Sequence, residues 1–144
     1  MIRRLLSCVS LILIISGDHT VLYSQYAFNV KRTFNETSHQ IFWAGFSSDG
    51  RYIVTTGSDN SIIIWIADSG IIYRTLMGAK KRQNIAMYYV DKNLLFSGGE
   101  DNIVTVWDPA KLKQVSDFTG HKGPVRSLDV SPDGRYLATG SADK

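Results

Sequence analysis

Apolar residues in this chain form short runs that are separated by polar, glycine-containing turns. Between residues 41 and 76 the runs are IFWAGF, YIVTT, IIIWI and IIYRTL, and the intervening segments contain SSDG, GSDN and DSG. Short runs rich in Ile, Val, Thr and aromatic residues, bounded by Asp, Gly and Ser, are typical of β-strands. The pattern predicts four strands, at 41–46, 52–56, 62–66 and 71–76. The nearest approach to a helical period, DPAKLKQV at 108–115, is short and contains proline, which predicts a loop and strand edge instead.

The same pattern recurs with a period of 42 residues. Three aspartates, two tryptophans and a hydroxyl residue four positions before each aspartate all keep this spacing. They are Asp59, Asp101 and Asp143; Trp65 and Trp107; and Thr55, Ser97 and Thr139. A four-stranded sheet cannot bury both of its faces alone, so repeated copies must stack on one another. Because radial stacking of such sheets gives a β-propeller, the sequence predicts an all-β fold, an incomplete propeller of about 3 to 3.5 four-stranded antiparallel blades.

Two segments carry a family resemblance. TGHKGPVRSLDVSPDGRYLATGSADK at 119–144 and GGEDNIVTVWD at 98–108 resemble WD40 repeats, from the Gly120-His121 pair to the Trp107-Asp108 pair. The resemblance covers about residues 17–144 and is weakest before residue 30. It implies a degenerate N-terminal blade at 1–36, repeats at 37–78 and 79–120, and a truncated repeat at 121–144.

The resemblance also implies a structural role for the periodic residues. In this family a His, a hydroxyl, an Asp and a Trp form a hydrogen-bonded tetrad within each blade. His121, Thr139 and Asp143 fill three places of one tetrad; Thr55, Asp59 and Trp65 belong to another; and Ser97, Asp101 and Trp107 belong to a third. Thr37 and Ala79 stand where the last two tetrads should have histidine. Because alanine cannot donate a hydrogen bond, Asp101 must find a backbone group or water, and we expect the blade at 79–120 to be the loosest.

Composition and motifs argue against catalysis and metal binding. The chain of 144 residues is 44% apolar and 20% charged, which is enough to form a core. Its single cysteine, Cys8, excludes an internal disulfide and a zinc site of the paired-cysteine kind. His19, His39 and His121 are separated along the chain, so we expect neither a metal site nor a cofactor. His121, Asp143 and Thr139 include the residue types of a nucleophilic triad, but Thr139 is predicted inside a strand, where it lacks an exposed elbow and oxyanion donors.

The N-terminus allows two interpretations. Arg3 and Arg4 followed by LLSCVSLILIIS resemble the charged and apolar parts of a secretory signal at 1–16, which would make the protein secreted. The apolar stretch is too short for a membrane-spanning helix. The favoured interpretation is that LILIISGDHTVLY is a strand, a turn and another strand, within an intracellular protein, cytoplasmic or nuclear.

Candidate binding residues follow from the resemblance, because WD40 propellers bind proteins or peptides on the face formed by the loops between blades and the second turn of each blade. The matching positions are Phe42, Asn84 and Arg126 in one class and Ser58, Glu100 and Ala142 in the other, with Lys80, Lys81 and Arg82 in the same kind of loop. The predicted function is a non-catalytic scaffold in a multiprotein complex. The alternative is a nucleic-acid-associated, RNA-processing subunit that uses the basic loop at 80–82.

The chain length adds one expectation. A period of 42 residues gives about 3.4 units, whereas closed propellers of this kind need about seven blades. We therefore expect a fragment of a longer polypeptide, a truncated gene product or, third, a half-ring that pairs with another copy. Expressed alone, a half-ring has unpaired strand edges and solvent-exposed apolar blade faces, which predicts poor solubility or self-association.

Overall fold

The computed structural model describes residues 40–144, which form ten β-strands and one short 3-10 turn. The predicted N-terminal blade, Cys8, Thr37, His19 and His39 lie outside the described residues. The elements are β1 Ile41–Phe46, β2 Tyr52–Gly57, β3 Ile62–Ile66, β4 Ile72–Leu76, β5 Gln83–Tyr89, the 3-10 turn Val90–Lys92, β6 Leu94–Gly99, β7 Val104–Asp108, β8 Lys113–Phe118, β9 Val125–Val130 and β10 Leu137–Ser141.

The strands form antiparallel sheets in chain order. β1–β4 make one four-stranded sheet, β5–β8 make a second, and β9 and β10 pair as two strands of a third. We call these the first, second and third blades. They confirm the predicted fold class, an incomplete WD40-type propeller of antiparallel blades. The segment DPAKLKQV is not helical, because it contains the end of β7, a turn and the start of β8.

Tight turns join the strands as the turn residues require. Asn60 and Asn102, after β2 and β6, adopt φ values of 63° and 67°, the left-handed conformation that asparagine tolerates best after glycine. In the β1–β2 turn the Asp49 carboxylate accepts from the Ser47 hydroxyl at 2.7 Å, and in the β9–β10 turn Asp133 accepts from Ser131 at the same distance. The repeated sequence SxDG therefore gives the same local structure twice.

The blades pack face to face through a continuous apolar core. Val54, Ile62, Ile64 and Leu76 of the first blade cluster with Ala86, Tyr88, Leu95 and Trp107 of the second. Every one of these residues is buried, whereas β8, at the edge of its sheet, is mostly exposed. Since the first and second sheets cover each other's apolar faces, their stability comes from stacking, as the repeat pattern predicts.

Hydrogen bonds between blades fix their relative positions. The Ser48 amide donates to the Tyr88 carbonyl at 3.0 Å, and the Val90 amide donates to the Ser48 hydroxyl at 3.1 Å. The Tyr89 hydroxyl then donates to the Pro132 carbonyl of the third blade at 3.2 Å. β1, β5 and β9 are neighbours in consecutive blades, so the loops that precede them lie at one end of the stacked sheets.

Candidate functional site

Each complete blade contains a buried indole that donates to a hydroxyl on the neighbouring strand. Trp65 Nε1 donates to Thr55 Oγ1 at 2.9 Å, and Trp107 Nε1 donates to Ser97 Oγ at 2.8 Å. Both tryptophans are 2% exposed. A buried indole N–H needs a hydrogen-bond acceptor, and the neutral hydroxyl oxygen on the neighbouring strand is that acceptor.

The third blade contains the histidine-centred part of the same arrangement. His121 Nδ1 lies 3.1 Å from Asp143 Oδ2, and His121 Nε2 lies 3.0 Å from Thr139 Oγ1. The Lys122 amide also donates to Asp143 Oδ2, at 2.6 Å. This backbone N–H, followed by the bond to His121, holds the pKa of Asp143 below its ordinary value of 3.8. The contacts join the loop before β9 to the turn after β10.

The second blade fastens the corresponding loop in a different way. Asp101 Oδ1 accepts from the Ile103 amide at 3.3 Å, within its own turn, because Ala79 offers no donor. Gln83, only 1% exposed, donates from Nε2 to the Lys81 carbonyl at 2.9 Å, and the Glu100 amide donates to the Arg82 carbonyl at 3.0 Å. A side chain at Gly99 would collide with the same Arg82 carbonyl. The backbone bond from Glu100 recurs in the other blades, from Ser58 to Gln40 and from Ala142 to Pro124. The Gln83 side chain is therefore the contact that distinguishes the second blade, where the third blade has histidine.

Gln83 was not among the residues singled out from the sequence, although a signal for it exists. One period away in either direction stand Ile41 and Val125, so a polar residue occupies a position that is apolar in the other two blades. Val125 is completely buried. Gln83 Oε1 is buried without a hydrogen-bond partner, so a glutamine at this position costs stability that the contact from its Nε2 to the Lys81 carbonyl partly offsets.

Five of the sequence-predicted binding residues meet at one place, around the carboxylate of Glu100. Arg82 Nη2 donates to Glu100 Oε1 at 2.9 Å, and Asn84 Nδ2 donates to the same oxygen at 3.0 Å. Arg126 Nη1 lies 3.8 Å from it. The Arg82 guanidinium also stacks over the Phe42 ring, 4.6 Å from the ring centroid. We call Phe42, Arg82, Asn84, Glu100 and Arg126 the Glu100 cluster.

The Glu100 cluster connects all three described blades. Phe42 belongs to β1, Asn84 to β5 and Arg126 to β9. Asn84 Nδ2 donates a further hydrogen bond to the Val125 carbonyl of β9, at 3.0 Å. Hydrogen bonds from Asn84 first, and then Arg82, hold the pKa of Glu100 below its ordinary value, so the carboxylate is charged at neutral pH.

The remaining predicted binding residues surround this cluster without joining it. Ser58, Lys80, Lys81 and Ala142 are exposed. Within residues 40–144 no side-chain hydrogen bond or ion pair links any of them to the Glu100 cluster. The basic run is thus divided: Arg82 is held by Glu100 and Phe42, whereas the two lysine ammonium groups face solvent.

Two searches of the described chain gave negative results. No three His, Cys, Asp or Glu side chains in residues 40–144 come together as a metal ion would require. The same part of the chain contains no helix with the length and apolar character needed to cross a bilayer.

Sequence comparison places the chain among repeat proteins. The family model "WD domain, G-beta repeat" matches residues 28–65, 75–108 and 112–144. The chain is 27% identical over 124 residues to "Transcription initiation factor TFIID subunit 5" of Caenorhabditis elegans, across 86% of this chain and 19% of that protein. It is 38% identical over 68 residues to "Eukaryotic translation initiation factor 3 subunit I" of Aspergillus niger, across 47% of this chain and 20% of the relative. The matched part thus spans about a fifth of the length of these relatives.

Structure comparison gives the same architecture. The "Crystal structure of RRP9 WD40 repeats" superposes with a TM-score of 0.69 at 22% sequence identity, covering 78% of this chain and 36% of that one. A likeness at this identity describes the fold alone. It matches the stacked four-stranded blades described above.

Proposed function

This chain belongs to the WD40-repeat family, and on that premise we propose that it is a non-catalytic scaffold whose Glu100 cluster binds a protein or peptide segment within a multiprotein assembly. The observation that carries the proposal is the convergence of Phe42, Asn84, Glu100 and Arg126 from three blades. The family resemblance placed these residues of separate repeats on one face, and their side chains, together with Arg82, form one connected surface.

The composition of this surface suits protein recognition. Phe42 is 40% exposed, and the Arg82 and Arg126 side chains are 40% and 57% exposed. Aromatic and arginine side chains are enriched at the energetically important positions of protein interfaces. Because Glu100 and Asn84 hold Arg82 in place, little side-chain entropy is lost when a partner contacts it.

The relatives support the assembly part of the proposal. Two of them are by name subunits, one of a transcription initiation factor and one of a translation initiation factor. A chain that shares their repeats fits the same kind of role, inside the cell, as part of a larger complex. The fold by itself does not identify the partner.

The non-catalytic part rests on the positions of the candidate triad. Thr139 lies within β10, and its hydroxyl and the Asp143 carboxylate both contact the His121 ring. A nucleophile of this kind needs an exposed turn with oxyanion donors beside it, whereas Thr139 is paired with Leu128 in the sheet. The three residues join a loop to a strand, which is a structural task.

A second candidate function is nucleic-acid association through the loop at 80–82. The exposed ammonium groups of Lys80 and Lys81 favour it, because free cations bind phosphate. The engagement of Arg82 by Glu100 weakens it, since this removes one of the three cations and adds a carboxylate. Binding through phosphates would weaken steeply as salt concentration rises, and this dependence separates the two functions.

The proposal is tested by capturing partners from a cell extract on the immobilised chain. Wild type is compared with Arg126→Glu and with the matched variant Arg135→Glu. Arg135 is also a well exposed arginine paired with a carboxylate, but it lies in the β9–β10 turn, at the other end of β9. We expect proteins retained by wild type and Arg135→Glu to be lost from Arg126→Glu. Equal retention by all three would contradict the proposal.

A further inference from the structure

We infer that the Glu100 cluster recognises an acidic peptide segment, with a partner carboxylate on Arg126 and an adjacent apolar side chain on Phe42; this inference rests on the proposed function and specifies its ligand. Three observations support it: the excess of positive charge around Glu100, the incomplete pairing of Arg126, and the exposed ring of Phe42 on the other side of Arg82.

The first observation is the charge balance. Glu100 is the carboxylate at the centre of the cluster, and two guanidinium groups, Arg82 and Arg126, share it. Lys80 and Lys81 directly precede Arg82 in the same loop and are exposed. The neighbouring Asp101 carboxylate accepts from the Ile103 amide of its own turn. Arg82, Arg126, Lys80 and Lys81 therefore give this part of the surface four cations against the two carboxylates of Glu100 and Asp101, and the remaining positive potential attracts acidic segments and repels basic ones.

The second observation is that the two arginines differ in how they are held. Arg82 is bonded to Glu100 at 2.9 Å and stacked on Phe42, so its position is fixed. Arg126 stands 3.8 Å from the same oxygen, beyond hydrogen-bond distance, and no other carboxylate within residues 40–144 pairs with it. Its side chain is 57% exposed. The planar guanidinium thus keeps its donors for a second carboxylate, which it can bind with two parallel hydrogen bonds.

The third observation is the exposed apolar ring of Phe42, which lies against the Arg82 guanidinium. Phe42 is 40% exposed although Arg82 covers part of its ring. An apolar side chain next to the bound carboxylate would bury the remaining edge of the ring. Successive side chains of an extended segment point to opposite sides, so an acidic and an apolar residue two positions apart lie on the same side and match this arrangement.

The same geometry disfavours a nucleic-acid strand at this place. A base would need the open face of an aromatic ring for stacking, but the Arg82 guanidinium already lies over Phe42. A phosphate backbone passing Arg126 would also approach the Glu100 carboxylate, whose charge is maintained by Asn84 and Arg82. A carboxylate on Arg126 does not require stacking, and it brings one negative charge near Glu100 where a phosphate backbone would bring several.

The test measures binding of short fluorescent peptides to the full 144-residue chain. Each peptide has a leucine and a variable residue two positions apart, with serine at the other positions, and the variable residue is Glu, Gln or Lys. An oligouridine RNA serves as the nucleic-acid probe. We expect the Glu peptide to bind about tenfold more tightly than the Gln peptide, because only the Glu peptide can form a charge-assisted hydrogen-bonded pair with Arg126. The Lys peptide should bind more weakly than either.

Variants locate the preference on the structure. Arg126→Glu should remove the advantage of the Glu peptide over the Gln peptide, and Arg126→Lys should keep part of it because the charge remains. Arg135→Glu should leave it unchanged. Circular dichroism melting of each variant shows whether the fold is retained, and Arg126→Lys provides the conservative case if Arg126→Glu is destabilised.

Four results would overturn the inference: equal binding of the Glu and Gln peptides, no binding of any peptide, a loss in Arg135→Glu as large as in Arg126→Glu, or tighter binding of oligouridine than of the Glu peptide. These outcomes are distinguishable from failure of the proposed function. If a protein from the extract is still lost from Arg126→Glu while the Glu and Gln peptides bind equally, the cluster binds a partner through chemistry other than acidic recognition.

Discussion

At the scale of single residues, the buried indole-to-hydroxyl bonds are the clearest stabilising contacts. Replacing Ser97 with alanine leaves Trp107 Nε1 buried without its acceptor at 2.8 Å. We expect the free energy of unfolding to fall by about 1 to 3 kcal/mol, the cost of an unpaired buried donor. Urea denaturation measures it, with Ser116→Ala on the exposed β8 as the control. A Ser97→Ala loss no larger than that of the control would contradict this account.

The Asp143 carboxylate predicts a pH-dependent contribution to stability. Its pKa in the folded chain is below 3.8, held there by the Lys122 amide and by His121. A group whose pKa is lowered by folding stabilises the fold above its unfolded-state pKa and loses this contribution as pH falls through its folded-state pKa. Asp143→Asn should therefore be less stable than wild type at neutral pH, and the difference should shrink below about pH 4.

Thermal unfolding between neutral and acidic pH measures this difference. Asp91→Asn is the control, because the Asp91 side chain forms no hydrogen bond within residues 40–144. If the gap between wild type and Asp143→Asn stays constant across the acidic range, the ionised carboxylate does not make the contribution described here.

Residue types and spacing predicted which side chains could meet, but only within a repeat. The period of 42 residues aligned Ser97 and Trp107 with Thr55 and Trp65, and the family resemblance implied the contact of His121 with Asp143. The Glu100 cluster depends on how neighbouring blades are rotated against each other, which no spacing encodes. The contact that Gln83 makes with the loop before β5 could be found only by noticing a polar residue where Ile41 and Val125 stand in the other repeats.

At the scale of elements, the second blade is the place where the repeat departs most from its own pattern. Ala79 occupies the position that His121 occupies in the third blade. We expect Ala79→His to reach Asp101 as His121 reaches Asp143, and to raise the free energy of unfolding by about 1 kcal/mol. Urea denaturation of the single and double variants tests this, because the gain should vanish when Asp101→Asn is also present. An equal gain in both backgrounds would show that the new side chain acts elsewhere.

Strands were the most predictable elements. β1 and β3 have the predicted bounds, and β2 and β4 differ from prediction by one residue at one end. The 3-10 turn at Val90–Lys92 was not predicted, because it depends on Asn93 adopting a φ of 50° between two apolar runs. Short alternating runs specify strands well, whereas single residues in left-handed conformations decide the connections.

At the scale of the whole molecule, the account depends on one surface. Stacked blades bring loops that are distant in sequence to the same end, where Phe42, Asn84, Glu100 and Arg126 become neighbours. The sequence predicted the blades and the positions of these residues. It did not predict that one carboxylate would join them, or that the Arg126 guanidinium would lie 3.8 Å from that carboxylate without a hydrogen bond to it.

The most direct test is the footprint of a captured partner by hydrogen–deuterium exchange. We predict that the partner slows exchange in the segments that begin β1, β5 and β9 and in the turn after β6, at residues 40–43, 80–85, 99–102 and 124–127. The opposite turns, at 47–51 and 131–135, should exchange at the same rate in the free and bound chain. Protection of those opposite turns, with none around Glu100, would contradict the central claim.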